Sequence, residues 1–530
     1  MKRKLLAFVL AGTMIAQNGL LTYASDLVVQ SDTEVSDFGS EETVSDVQEE
    51  TAEPEDEVDS SEQEEVLPNE EEKEEISGDA PLEDVITEGE EPAEEEENIS
   101  DEFGTGEDET QQEPQELFGD GEEKPEEFSA GEEEILPATA SADDLVYGDL
   151  TYRVNNNKVT ITGYKGSGTS AVIPDKIGSY EVKEIADRAF SGCGTLESIS
   201  LPEGLERIGY QFIANTGITS LTVPSTVTAS GYAYVGSGYA GATAGAMELQ
   251  EVKFAEGMKK IPENFCRNGS PNSAIQRIVL PSTVMEVGNS SFQNCAGLET
   301  VNFGKEVGKV GDHAFAGCVS LSRISFEENS KQVVGTDGKK RLYPLEIGSD
   351  AFAGCSSLTE IDWSKNVKTV GTEAFYGCTG LTAVQVPENV TSVGDRAFGN
   401  CSSLENISLP EGLENVGYQF IMNTGITSLT VPSTVTRSGC AYVGSGYAGA
   451  TAGDEELKEI IFTDGAKTVP DNICRSGSEN YSLKRAVIPS SVTTIGNNSF
   501  TNCKELTIYG EKNSYAENYA REKGILFCEI

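Results

Sequence analysis

Eleven cysteines and one histidine are the side chains of this chain best suited to hold a metal or move a proton. Their spacing argues against both roles. No Cys-x-x-Cys pair occurs, and His313, the only histidine, falls at a variable position of the repeat, which argues against a zinc site and against triad chemistry. Five cysteines instead keep register: Cys295 to Cys318, Cys355 to Cys378 and Cys378 to Cys401 are each 23 residues apart. Cysteines at one position of a repeat form a ladder with parallel Cβ vectors. That geometry suits packing of reduced thiols better than disulfide bonding. Thr216 and Thr424 take the same slot, as small core residues would, while Cys266 and Cys474 stand where the repeat has Phe. There is no phosphate-binding loop and no dinucleotide fingerprint. No cofactor, no metal and no enzymatic activity are expected; a glycosidase stays formally open, because paired carboxylates leave no sequence signature.

Residues suited to binding are easier to find. Two Gly/Ala-rich stretches, SGYAYVGSGYAGATAG and SGCAYVGSGYAGATAG, carry Tyr232, Tyr234, Tyr239, Tyr442 and Tyr447. Tyrosines on a glycine-rich loop present a large amphipathic area at low entropic cost. The bland alternative is a duplicated loop that packs locally. A further insert, Gln332–Leu345, reads as a hairpin turning at Asp337-Gly338, with Lys339, Lys340 and Arg341 forming a compact basic patch.

The elements that must position these residues come from a repeat. AGLETVNFGKEVGKVGDHAFAGC, SSLTEIDWSKNVKTVGTEAFYGC and TGLTAVQVPENVTSVGDRAFGNC share one frame. Leu-x-x-Ile-x-Leu alternates inward residues over a short strand, and a Pro often ends it, as at Pro224 and Pro387. Val-x-x-Ile-Gly makes a second inward segment, and Ala-Phe adds one small and one large core residue. No unit can bury its apolar face alone, so units must stack. About a dozen coils fit between residues 194 and 503.

This frame resembles the BspA-type leucine-rich repeat. The resemblance covers residues 147–530 and implies a leucine-rich-repeat-like solenoid, β-dominated α/β, with coils of ~23 residues. It also implies a secreted or cell-surface bacterial protein that binds host or microbial surface proteins, as an adhesin does. A glycan-binding module is the alternative function. Leu150–Gly163 reads as an opening hairpin around Asn155–Asn157. Leu506–Ile530 holds a closing helix, with Ser514 and Glu517 as a capping box and Gly524 as its stop.

A second periodicity lies above the first. Ile199–Gly245 and Ile407–Gly453 differ at five positions of 47, at an offset of 208 residues. That offset is about nine units of 23, which would place the two tyrosine stretches ~43 Å apart at one strand spacing per coil.

Three segments follow from composition. Residues 1–24 read as a signal peptide: Lys2-Arg3-Lys4, an apolar run from Leu5 to Ala16, and cleavage after Ala24. Residues 25–144 read as a disordered acidic arm, which carries −47 of the chain's −53 formal charge. Residues 145–530 are the solenoid, with an N-terminal cap at 145–193 and a C-terminal cap at 504–530. Neither the arm nor the mildly acidic solenoid suits a nucleic acid or an anionic membrane. The mature chain is expected to be extracellular and monomeric, with no membrane insertion.

Overall fold

The computed structural model describes Ile15–Ala16, Gly19–Leu20 and residues 144–530, apart from 236–237, 270–272, 337 and 444–445. The expected cleavage site and all of the acidic arm except Asp144 lie outside the described residues.

From residue 144 on, the chain is a parallel β-solenoid of leucine-rich-repeat type. Each coil contributes three stacked segments. In one coil these are the strand Thr300–Phe303, the strand Lys309–Val310 and the turn that ends at Cys318. The first strands pair in parallel with the next coil, Val301 opposite Ile324 and Phe303 opposite Phe326. The second strands do the same: eight run as one ladder from Lys260–Ile261 to Arg437–Ser438. Twelve such second strands lie between Arg207 and Ile495, in agreement with the repeat arithmetic.

The turns form a third ladder. The amide of Phe315 donates to Ala351 O at 2.8 Å, Phe352 to Ala374 O at 2.8 Å and Phe375 to Ala397 O at 2.9 Å. Cys266 donates to Ser291 O at 2.6 Å, the rung that Phe makes elsewhere, so it does occupy the Phe slot. Each turn needs a left-handed residue just before Ala-Phe. His313, Asp350, Glu373 and Arg396 hold it at φ 54°, 53°, 53° and 50°. A non-glycine residue there costs ~1–2 kcal/mol, which the rungs on either side offset.

The core is continuous from coil to coil. Phe292, Phe315, Phe352, Phe375 and Phe398 form one column of stacked rings, with successive centroids 5.1 to 5.5 Å apart. A second aromatic row, Phe303, Phe326 and Trp363, runs on the first-strand side. The cysteines lie between as the expected ladder. Cys318, Cys355, Cys378 and Cys401 are fully buried, and each thiol donates to the carbonyl of a Phe one coil back, at 3.1 to 3.3 Å. None of the eleven cysteines is bonded to another.

Both ends are capped. Leu145–Tyr147, Leu150–Asn155 and Lys158–Tyr164 pair antiparallel, and Asn156 and Asn157 supply the left-handed turn at φ 49° and 61°. At the other end helix α1, Tyr515–Lys523, starts at Ser514, whose side chain accepts from the Glu517 amide, and stops at Gly524, φ 70°. The returning carboxylate of Glu517 accepts from Asn513 N rather than from Ser514 N. Among the described residues no helix is long and apolar enough to cross a membrane.

Counting coils corrects the second periodicity. From the strand Ala229–Ser230 to the strand Arg437–Ser438 there are eight steps, not nine. The surplus residues are spent in the first tyrosine stretch, in the loop after Arg267 and in the Gln332–Leu342 hairpin. The copies therefore sit about 38 Å apart along the stack, not 43 Å.

Candidate functional site: two tyrosine hairpins

Each tyrosine stretch folds as a β-hairpin that leaves the coil between the second strand and the turn. Ala233–Val235 pairs antiparallel with Gly238–Ala240, which sets Tyr234 directly opposite Tyr239. Ala441–Val443 pairs with Gly446–Ala448 in the same way, Tyr442 opposite Tyr447. Facing residues on one side of a two-stranded ribbon are natural contact pairs. The rings meet edge to face, at 5.4 Å and 83° in the first hairpin and 5.3 Å and 81° in the second. All five tyrosines are exposed, from 44% for Tyr239 to 67% for Tyr442.

The hairpins replace rungs of the second ladder: Ala229–Ser230 does not pair with Lys260–Ile261, and Arg437–Ser438 does not pair with Thr468–Val469. Side chains bridge the gap, as Ser230 Oγ donates to Glu263 O and Ser438 Oγ to Asp471 O, both at 2.6 Å. Glycine is required at the root of each hairpin. A Cβ on Gly241 would lie 1.7 Å from Asn264 O, and one on Gly449 would lie 1.6 Å from Asn472 O. The Gly-rich composition thus serves close backbone approach to the next coil.

Sequence reasoning missed two members of each cluster. Arg267 lies over the Tyr239 ring at 4.7 Å, and Arg475 over Tyr447 at 4.6 Å. Each guanidinium is aimed by an asparagine in the left-handed conformation, Arg267 to Asn264 Oδ1 at 2.9 Å and Arg475 to Asn472 Oδ1 at 3.0 Å. The signal was available: Asn264 and Arg267 recur as Asn472 and Arg475 at the same 208-residue offset. A tyrosine pair backed by a stacked, partly buried arginine joins aromatic area to positive charge, the composition of many protein-binding hot spots. The copies differ in one ring. Tyr232 lies 6.1 Å from Tyr239, whereas Cys440 takes its place in the second hairpin, beside Arg475.

The basic insert also forms a hairpin, Gln332–Val334 against Lys340–Leu342, with Arg341 opposite Val333 and Lys340 opposite Val334. Lys339 lies in the connecting loop, and Lys339, Lys340 and Arg341 are exposed. This hairpin leaves between the first and second strands, so it stands at a different corner of the coil from the tyrosine hairpins. The structure does not bring the two sets together. In the coil order the basic hairpin falls midway, four coils from each tyrosine hairpin.

His313 is half exposed, with Nδ1 3.7 Å from Asp350 Oδ2. Asp350 is pushed up to about 7 by burial and by its neighbours Glu373 and Asp312. Among the described residues no group of three metal-ligating side chains is assembled.

Stacked coils of 23 residues, with leucine, valine or isoleucine and phenylalanine at fixed inward positions, define a leucine-rich-repeat solenoid. The chain belongs to the BspA-type leucine-rich-repeat family, whose model matches residues 167–272, 259–336, 344–442 and 450–517. No curated protein matches the chain. Among solved structures it is similar to a leucine-rich repeat protein from Bacteroides ovatus ATCC 8483, with 18% identity, 73% of this chain and 99% of that chain covered, and a TM-score of 0.37. It is similar to the pneumococcal vaccine antigen PcpA, with 16% identity, 73% and 98% covered, and a TM-score of 0.41. A leucine-rich cell surface protein from Faecalibacterium prausnitzii A2-165 matches with 20% identity, 72% and 98% covered, and a TM-score of 0.33.

Proposed function

We propose that this is an extracellular or cell-surface binding protein whose two tyrosine hairpins grip protein partners on other surfaces, in the manner of an adhesin. One observation carries the reading: the same exposed cluster of two tyrosines and a stacked arginine is built twice, on the same corner of the coil, eight coils apart. Membership of the BspA-type family supports binding rather than catalysis as the task.

The test is capture of the protein on a panel of immobilised extracellular-matrix and microbial surface proteins. The parent is compared with a variant carrying Tyr234→Ser, Tyr239→Ser, Tyr442→Ser and Tyr447→Ser. The variant should keep its circular dichroism spectrum and lose capture. If it is captured as the parent is, the hairpins are structural, and the basic hairpin at Lys339, Lys340 and Arg341 becomes the surface to test.

A further inference from the structure

The ladder of first strands is interrupted at four steps, and one of them stands beside a cleft. Glu360–Asp362 pairs with Arg323–Phe326 on one side, but it does not pair with Ala383–Gln385 of the next coil. The cause is local. Trp363, the chain's single tryptophan, stands in the second aromatic row where the next coil has Val386. Its ring is nearly parallel to Phe326, at 14°, and meets the edge of Phe375. One face is thus occupied from the preceding coil, and the partly buried ring lines the cleft beside the smaller Val386.

The opening is a cleft of about 430 Å³, lined by Trp363, Asp362, Lys365, Gln385, Pro387 and Glu388 among others. That volume falls in the range of small-ligand sites, roughly 300–1,000 Å³. Its walls combine one aromatic face with hydrogen-bonding groups of every kind. Arg323 donates twice to Asp362 Oδ2, which fixes the carboxylate and leaves Oδ1 as an acceptor. Gln385 is exposed and brings both a donor and an acceptor. Lys365 and Glu328 pair at 3.7 Å on the rim. An aromatic face for C–H groups, ringed by acceptors and donors for hydroxyls, is the complement of a pyranose ring. Three acids against one lysine disfavour an anionic sugar.

We propose that the cleft walled by Trp363, between the strands Glu360–Asp362 and Ala383–Gln385, binds a neutral oligosaccharide. The site is separate from the tyrosine hairpins and does not depend on them. It would let one solenoid hold a protein and a glycan at once.

The single tryptophan makes the test specific, because all indole emission reports on this cleft. The full chain is titrated with chitotriose, cellotriose and maltotriose while tryptophan emission is followed, with calorimetry as the second readout. At least one trisaccharide should give a saturable shift. Gln385→Ala, at an exposed position, should weaken that binding about three- to tenfold, the loss of a typical hydrogen bond. The four-tyrosine variant should respond as the parent does, so this outcome is independent of the reading above. No shift and no heat at ~10 mM of any of the three, about ten times a Kd of 1 mM, overturns the proposal. So does a response that Gln385→Ala leaves unchanged. A response to an alternating Val-Thr hexapeptide in place of the sugars would assign the open strand edges to peptide addition and also overturn it.

Discussion

Asp454 lies just past the near-identical block, where the two copies begin to diverge. It is 2% exposed, accepts from Thr424 Oγ1 at 2.5 Å and from the Glu456 amide at 3.0 Å, and stands where the first half has Ala246. Burial pushes its carboxyl up to about 6, against the hydrogen bonds that pull it down. Ionisation therefore opposes the fold. Its contribution is fully present below the ordinary carboxylate range near pH 3.8 and is lost as pH rises through about 6. Asp454→Asn keeps an acceptor for Glu456 and removes the charge. It should match the parent in urea denaturation at pH 3.5 and exceed it at pH 7.5, by up to about 3 kcal/mol. Equal stability at both pH values would show that the carboxyl ionises freely. Phe375 tests the core at the same scale. It is fully buried between Phe352 and Phe398. Phe375→Ala should cost ~3–5 kcal/mol in the same assay, and a loss below about 1 kcal/mol would contradict its place in the column.

At the scale of the element, the cysteine ladder is a packing device. Burial pushes Cys355 and Cys401 up to about 12 and raises Cys318 and Cys378 well above their ordinary value. A thiol held protonated is a poor nucleophile, and each of these is also engaged as a donor to a backbone carbonyl. Cys440 and Cys528 alone are exposed. A thiol-reactive dye added to the native, unreduced protein should label about two sites quickly. After denaturation without reductant it should label all eleven. Five disulfides in that second measurement would replace the ladder with a covalent framework.

At the scale of the whole solenoid, two hairpins ~38 Å apart on one stack can engage a repetitive ligand together. Two weak contacts on one body raise avidity by ~10²–10⁴ when the ligand spans both. Tyr234→Ser with Tyr239→Ser, or Tyr442→Ser with Tyr447→Ser, should therefore weaken capture on a dense protein layer far more than it weakens binding of the same protein in monovalent form. Biosensor runs at high and low ligand density separate the two. If a double variant loses the same factor at both densities, the hairpins act singly and the eight-coil spacing has no role in capture.

The repeat was legible because its physics is local and reiterated. Inward residues at fixed offsets can be read one coil at a time, so the strands, the phenylalanine column and the thiol ladder followed from spacing alone. The helix cap was legible down to Ser514 and Gly524, since capping depends on a few adjacent residues. Other features depend on what lies one coil away. The left-handed column through His313, Asp350, Glu373 and Arg396 falls on a variable position of the frame, because its conformation is imposed by the stacked turns on either side. Arg267 and Arg475 join the tyrosines only because each hairpin lies against the following coil. Dividing 208 by 23 overcounted the coils, since inserted residues lengthen the chain without adding a strand to the ladder. The sequence by itself determined what each coil buries. The tertiary structure decided which exposed groups meet between coils, and where the ladder opens beside Trp363, because both depend on contacts between residues far apart in the chain.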